Sequence, residues 1–122
     1  MAFNLHPHRV AVYGTLKRGR SNHGFLKGAR YLGTDRLVTI TLYDLGPCPA
    51  ARMEKSQGVE VEVYAVTPRG LNRLDQLEEH IPRSPERSVY DRKEVGTRHG
   101  PAWVYLYNLP VKGFRRIVRG GW

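Results

Sequence analysis

The clearest periodic signal in the chain lies between Gly58 and Thr67, where GVEVEVYAVT alternates strictly. Val59, Val61, Val63 and Ala65 fall on one face and Glu60, Glu62 and Tyr64 on the other, the two-residue repeat of a strand with one buried face. Ala102 to Asn108 repeats the pattern, with Ala102, Val104 and Leu106 on one side and Trp103, Tyr105 and Tyr107 on the other. Val89 to Thr97 precedes it as a further strand, and the intervening RHGP predicts a hairpin-type connection. Arg9 to Tyr13 is a short strand ended by Gly14 and followed by a polar, glycine-rich connection from Lys17 to Gly24. Arg36 to Leu45 (RLVTITLYDL), rich in β-branched and aromatic residues, is predicted as one long strand. Gly46 to Ala50 (GPCPA) then forms a turn in which two prolines bracket Cys48.

The period changes after Thr67. Pro68 opens a helix predicted to run to about Glu79, with proline tolerated in its first turn. His80 to Ser88 contains Pro82 and Pro85 and is expected to be a loop. Four or five strands and one helix make an α+β domain, and short strands with turn signals at both ends point to a closed or nearly closed barrel.

The helix carries the sharpest chemical clue. With Leu71 set at 0° on a wheel of about 100° per residue, Leu74 falls near ~300° and Leu77 near ~240°. Glu78 falls near ~340°, inside the leucine arc, and Glu79 near ~80°, outside it. Glu78 is therefore expected to face the apolar side and Glu79 the solvent. A carboxylate on an apolar face loses hydration, which raises its pKa and suits it to proton transfer near neutral pH. The competing structural role is a Glu78 paired with a basic neighbour such as Arg92; on the wheel alone the two roles stand level. The second clue is VYGTLKRG, Val12 to Gly19, where a strand passing into a loop frees the N–H groups of Gly14, Thr15 and Leu16 to hold a carboxylate or an oxyanion. The bland alternative is a tight turn that needs glycine for a positive φ.

At 122 residues the chain has the length of one domain, taken as residues 1–122, with enough chain to bury a core. Lys and Arg number 20 against 11 Asp and Glu, a net charge of +9, spread along the chain except for a dense run from Lys112 to Arg119. A solvated basic surface is the favoured reading over a nucleic-acid footprint. The single Cys48 excludes an internal disulfide. MAFNLHPHRV holds no apolar run of signal-peptide length, and no later stretch approaches the ~20 apolar residues of a membrane span. A cytosolic location is the expectation. The five histidines show no paired metal spacing beyond His6 and His8, so neither a metal nor a cofactor is expected. Cys48 reads as an inert turn cysteine.

VYGTLKRG followed by Asn22 and His23, LYDLG with a proline shortly after, EVYAV, LDQLE, and Tyr90-Asp91-Arg92 occur in this order. Together they resemble the γ-glutamylcyclotransferase and γ-glutamylamine cyclotransferase superfamily, over about Val10 to Tyr107. The resemblance implies a small mixed β-barrel with flanking helices and a cavity at one end. It implies an enzyme without metal or cofactor that turns a small-molecule γ-glutamyl substrate into 5-oxoproline by intramolecular acyl transfer. It carries the general acid/base onto Glu78 and substrate contacts onto Tyr13, Gly14, Thr15 and Leu16, with Tyr90 and Arg92 beside the site. Trp103, Tyr105 and Tyr107, on one strand face, are read from the residues themselves as a barrel wall or pocket lining in preference to a stacking surface for nucleobases, with Tyr107 facing the substrate. Two features depart from the family: Glu79 stands where a glycine often follows the catalytic glutamate, and the segment from Glu78 to Tyr90 is long. His80 to Ser88, with Arg83 and Arg87, is read as a lid that meets an anionic leaving group, the alternative being a solvated connection that happens to be long. The alternatives are a non-catalytic basic module engaging nucleic acid or another polyanion, and a hydrolase using the same pocket.

Overall fold

The computed structural model describes residues 4–122, so the first three residues of the MAFNLHPHRV segment lie outside the described residues. Among the described residues eight strands and one α-helix follow one another as β1 (His8–Val12), β2 (Arg30–Leu37), β3 (Thr41–Asp44), β4 (Pro49–Arg52), β5 (Val59–Val66), α1 (Pro68–Leu77), β6 (Tyr90–Val95), β7 (Ala102–Tyr107) and β8 (Arg115–Ile117), with 3₁₀ turns at His23–Leu26 and Pro85–Arg87. Five strands pair in the order β2-β5-β1-β7-β6 and three in the order β4-β3-β8. The larger sheet is mixed: β1 runs antiparallel to β5 and parallel to β7. The fold is α+β as expected, but the pairing forms two sheets that do not close into a barrel.

The alternating strands explain how the layers stack. Val59, Val61 and Val63 of β5 pack with Ala102 and Val104 of β7 and with Ile40, Leu42 and Ala51, filling the space between the two sheets. Tyr64 and Val66 of β5, with Val10, Val12 and Tyr105, pack on the opposite face against Leu71 and Leu74 of α1. Tyr64, grouped by alternation with the polar face, is buried because the helix covers that end of the strand. β1 is apolar on both faces for the same reason: Ala11 meets one core and Val10 and Val12 the other.

The RLVTITLYDL run is not one strand. β2 ends at Leu37, Val38 is exposed at the corner with its carbonyl accepting from the Ser56 N–H at 2.9 Å, and β3 begins at Thr41 in the other sheet. β-branched composition is the same on both sides of that corner, so the change of sheet leaves no local mark. GPCPA is likewise only partly a turn, because Pro49 and Ala50 open β4. The dense basic run contains β8, whose Arg115 to Ile117 pair with Asp44 to Leu42.

Both ends of α1 are built from named local features. Thr67 caps the N-terminus, its hydroxyl accepting from the Gly70 N–H at 2.9 Å, and Pro68 takes the first helical position, where its missing N–H costs nothing. At the other end Glu79 donates to the Gln76 carbonyl at 3.2 Å and His80 to the Asp75 carbonyl at 2.8 Å. This is the paired-bond pattern that closes a helix through one left-handed residue, a place usually held by glycine. Here it is Glu79, with φ 51°. Glu79→Gly is therefore expected to stabilise the protein by about 0.5–1 kcal/mol, as relief of left-handed strain outweighs the extra freedom of the unfolded chain. A urea titration that showed a loss of stability instead would mean the left-handed turn is not strained.

Candidate active site

The helix end, the loop after β1 and the start of β4 enclose a cavity of about 240 Å³. Gly14, Thr15 and Leu16 form one wall, Cys48 and Pro49 a second, and Leu77, Glu78 and Glu79 a third, with Tyr13, Tyr90 and Tyr105 between them. That volume lies just below the roughly 300–1,000 Å³ of drug-sized pockets and suits a group of amino-acid size.

The loop after β1 is fixed from several directions. The Thr15 carbonyl accepts from the Asn22 N–H at 2.9 Å, the Thr15 hydroxyl accepts from the Asn22 amide at 2.9 Å, and the His23 ring lies 3.0 Å from the Leu16 carbonyl. Lys17, buried just beyond, donates to the main-chain oxygen of Trp122 at 2.8 Å. Among the described residues the N–H groups of Gly14, Thr15 and Leu16 donate to no other part of the chain. Gly14 does not have a positive φ, so the turn explanation for it falls away. What requires glycine is the approach of Pro49, whose ring carbons would stand 2.7 and 2.8 Å from an added Cβ.

The phenols around the cavity are committed to protein acceptors. Tyr13 donates to the Tyr105 carbonyl at 2.6 Å, Tyr90 to the Pro49 carbonyl at 3.2 Å, and Tyr105 to the Asp75 carboxylate at 2.6 Å. Each has its pKa raised, by burial first; Glu78 adds to the effect on Tyr13, Cys48 on Tyr90 and Asp75 on Tyr105. They are neutral walls at neutral pH.

Glu78 differs from all of them. It caps the C-terminus of α1, and its carboxylate makes no hydrogen bond or ion pair among the described residues. Burial pushes its pKa up to about 7; the negative end of the helix acts in the same direction. Arg92, the structural partner weighed for it, instead grips Asp75 through Nε at 2.9 Å and Nη2 at 3.3 Å and lies over the Trp103 ring at 4.3 Å. Glu79 is exposed at the cavity mouth.

The pKa has a consequence for stability. Glu78 titrates near the ordinary 4.5 when unfolded and near about 7 when folded. Between those values the folded state holds the proton more tightly, so stability present below pH 4.5 is lost as pH rises through 7. At about 1.36 kcal/mol per unit the loss approaches about 3 kcal/mol. Glu78→Gln is expected to escape it, gaining up to about 3 kcal/mol over the native protein between pH 4 and pH 8. Denaturant titrations at the two pH values check this, and an unchanged difference would mean that the carboxylate stays hydrated.

Of the residues read from the sequence, the structure brings Tyr13, Gly14, Thr15, Leu16, Glu78 and Tyr90 to the cavity. Arg92 and Tyr107 do not line it. Arg92 stands behind the wall, reaching Tyr105 through Asp75, and Tyr107 packs against the far side of Tyr90 with ring centroids 5.3 Å apart. Among the described residues none from His80 to Ser88 lines the cavity, and Arg83 and Arg87 are exposed. That segment is closed on itself: Val89 donates to the Glu79 carbonyl at 3.2 Å, and the buried Ser88 hydroxyl accepts from the Ile81 N–H at 2.6 Å. Asn22, Cys48 and Pro49 were missed as lining residues, and of the aromatic face of β7 it is Tyr105, not Tyr107, that lines the cavity. For Tyr105 the strand alternation was available as a signal, since it shares a face with Tyr107 but sits one pair deeper. For Cys48 and Pro49 no local signal existed.

The family described as γ-glutamyl cyclotransferase, AIG2-like, matches residues 10–122. The chain is 38% identical to a Vibrio cholerae protein provisionally named a γ-glutamylcyclotransferase, over 94% of this chain and 95% of that one. It is 35% identical to the γ-L-glutamyl-butirosin B γ-glutamyl cyclotransferase of Niallia circulans, over 80% of this chain and 65% of that protein. The crystal structure of an uncharacterised Pyrococcus horikoshii protein superposes with a TM-score of 0.76 at 33% identity, covering 93% of this chain and 88% of that one.

Proposed function

The chain belongs to the γ-glutamyl cyclotransferase, AIG2-like family, and we propose that it releases 5-oxoproline from a γ-glutamyl amide with Glu78 as the general acid/base. The observation that carries the reading is the unpaired Glu78 carboxylate, held near neutral pKa in a cavity opposite three unbonded backbone N–H groups.

The reaction is an intramolecular aminolysis. The free α-amine of the γ-glutamyl group attacks its own γ-carbonyl carbon, closing a five-membered lactam and expelling the amine on the other side. Glu78 takes a proton from the attacking nitrogen and returns it to the leaving nitrogen, so neither water nor an enzyme nucleophile enters the balance. The N–H groups of Gly14 to Leu16 hold the oxyanion that forms on the γ-carbonyl. Well-oriented intramolecular reactions reach effective molarities of ~10⁵ M or more, so positioning supplies much of the rate. The Niallia circulans relative is named for such a group, a γ-glutamyl unit carried on butirosin B. The basic-module alternative finds no support among the relatives.

Mass spectrometry of a panel of γ-glutamyl amines, amino acids and peptides incubated with the protein tests the reading. 5-Oxoproline with the free amine is the expected product pair. Free glutamate instead would identify a hydrolase using the same cavity, and no product from any member would remove the cyclotransferase assignment.

A further inference from the structure

The cavity carries a charge opposite to that of the protein around it. The chain holds nine more cationic than anionic side chains. Yet among the described residues no Lys or Arg lines the cavity, while Glu78 and Glu79 both do. The two acids stand at different depths, Glu78 half-buried and Glu79 exposed at the mouth. Glu79 has no ion pair or side-chain hydrogen bond among the described residues, and it holds its left-handed backbone at φ 51° where a glycine would sit without strain. Backbone strain kept at the rim of a cavity invites a functional explanation. The long segment that follows supplies no counter-charge to the cavity, since Arg83 and Arg87 stand away from its lining, and the buried His80 ring is turned towards Asp91 at 3.6 Å.

Resting on the cyclotransferase reading, we propose that Glu79 selects the leaving group by charge. With the glutamyl part inside a cavity of about 240 Å³, there is little room for the departing amine's substituent, which extends through the mouth past the Glu79 carboxylate. Substrates whose departing amine carries a second positive charge, as a diamine or polyamine does, are favoured. Substrates whose departing part ends in a carboxylate, as γ-glutamyl amino acids and peptides do, are disfavoured. This reverses the anionic preference expected from Arg83 and Arg87. An exposed charge pair changes affinity roughly threefold, so attraction of one substrate and repulsion of the other together reach about tenfold.

Three substrates of matched length separate charge from shape: the γ-glutamyl derivatives of 1,4-diaminobutane, butylamine and 4-aminobutyrate. For the native protein, kcat/KM for 5-oxoproline release is expected to fall in that order. A diamine-to-acid ratio of about tenfold is expected, carried by KM and shrinking as salt is raised. Glu79→Gln should bring the ratio close to one and Glu79→Lys should invert it, with thermal melts confirming that both variants fold. A flat order in the native protein, or a ratio that survives in Glu79→Gln, overturns the charge selection and leaves the cyclotransferase reading standing. Release from none of the three, with the wider panel equally silent, overturns the cyclotransferase reading and this inference with it.

Discussion

Glu78→Gln is expected to lower kcat/KM for 5-oxoproline release by about 10²–10⁴-fold, the range associated with a positioned general acid/base. Glutamine keeps the volume and shape of the side chain but cannot accept the proton of the attacking amine. None of the three phenols can take over, because the hydroxyls of Tyr13, Tyr90 and Tyr105 are bound to protein acceptors and all three are shifted upward. The variant should fold at least as well as the native chain, since it removes a desolvated carboxylate with no partner to lose. Activity of the native protein should rise with pH through about 7 as Glu78 deprotonates, and this limb should vanish from the residual activity of the variant. Glu79→Gln serves as the neighbouring control, its effect confined to KM for charged leaving groups. If Glu78→Gln retained activity within tenfold of native while Glu79→Gln lost it, the acid/base would have to be reassigned to Glu79.

Gly14→Ala is expected to weaken binding of 5-oxoproline by tenfold or more, and Gly14→Val by more again. The cause is steric. The added Cβ would stand 2.7 and 2.8 Å from the Pro49 ring carbons, and Pro49 is a buried, paired residue of β4 that has little freedom to retreat. Overpacking of this kind costs roughly 1–3 kcal/mol, and a misplacement of about 1 Å in a reacting site can cost ~10²-fold in rate. Because the strain arises from one pair of residues, removing the ring relieves it. The double variant Gly14→Ala with Pro49→Ala should recover part of the binding lost in Gly14→Ala alone, as coupled sites do. Isothermal titration with 5-oxoproline reads both effects. Native-like binding by Gly14→Ala would show that the loop after β1 does not set the shape of the ligand site, and strictly additive losses would show that Pro49 is not the constraint.

Much of the site was legible because it depends on local pattern. The wheel separated Glu78 from Glu79 by their angle to Leu71, Leu74 and Leu77, and those leucines do pack inward while Glu79 stays in solvent. The departure at Glu79 was visible as a residue where glycine is common. Its structural meaning, a left-handed helix end, required the backbone. Arg92 was drawn towards the site by its place in Tyr90-Asp91-Arg92. Arg92 shares the Tyr90 face of β6 but stands two residues further along the strand, and the neighbour that claims it is the buried Asp75, a carboxylate that needs a charged partner.

The sequence by itself determined which faces are buried and which acid is desolvated, because alternation and helical period report burial over a few neighbouring residues. It predicted the hairpin of β6 and β7, whose connection is short. Only the tertiary structure decided that Arg36 to Leu45 divides between two sheets, and that β8 joins β3 across 70 residues of chain or more. It also decided that Cys48 and Pro49 face Gly14. These are contacts between distant segments, set by how two cores pack on opposite faces of one sheet. A residue's own neighbours in the chain carry no record of such contacts, so a turn stayed open as the reason for glycine at Gly14 until Pro49 stood against it.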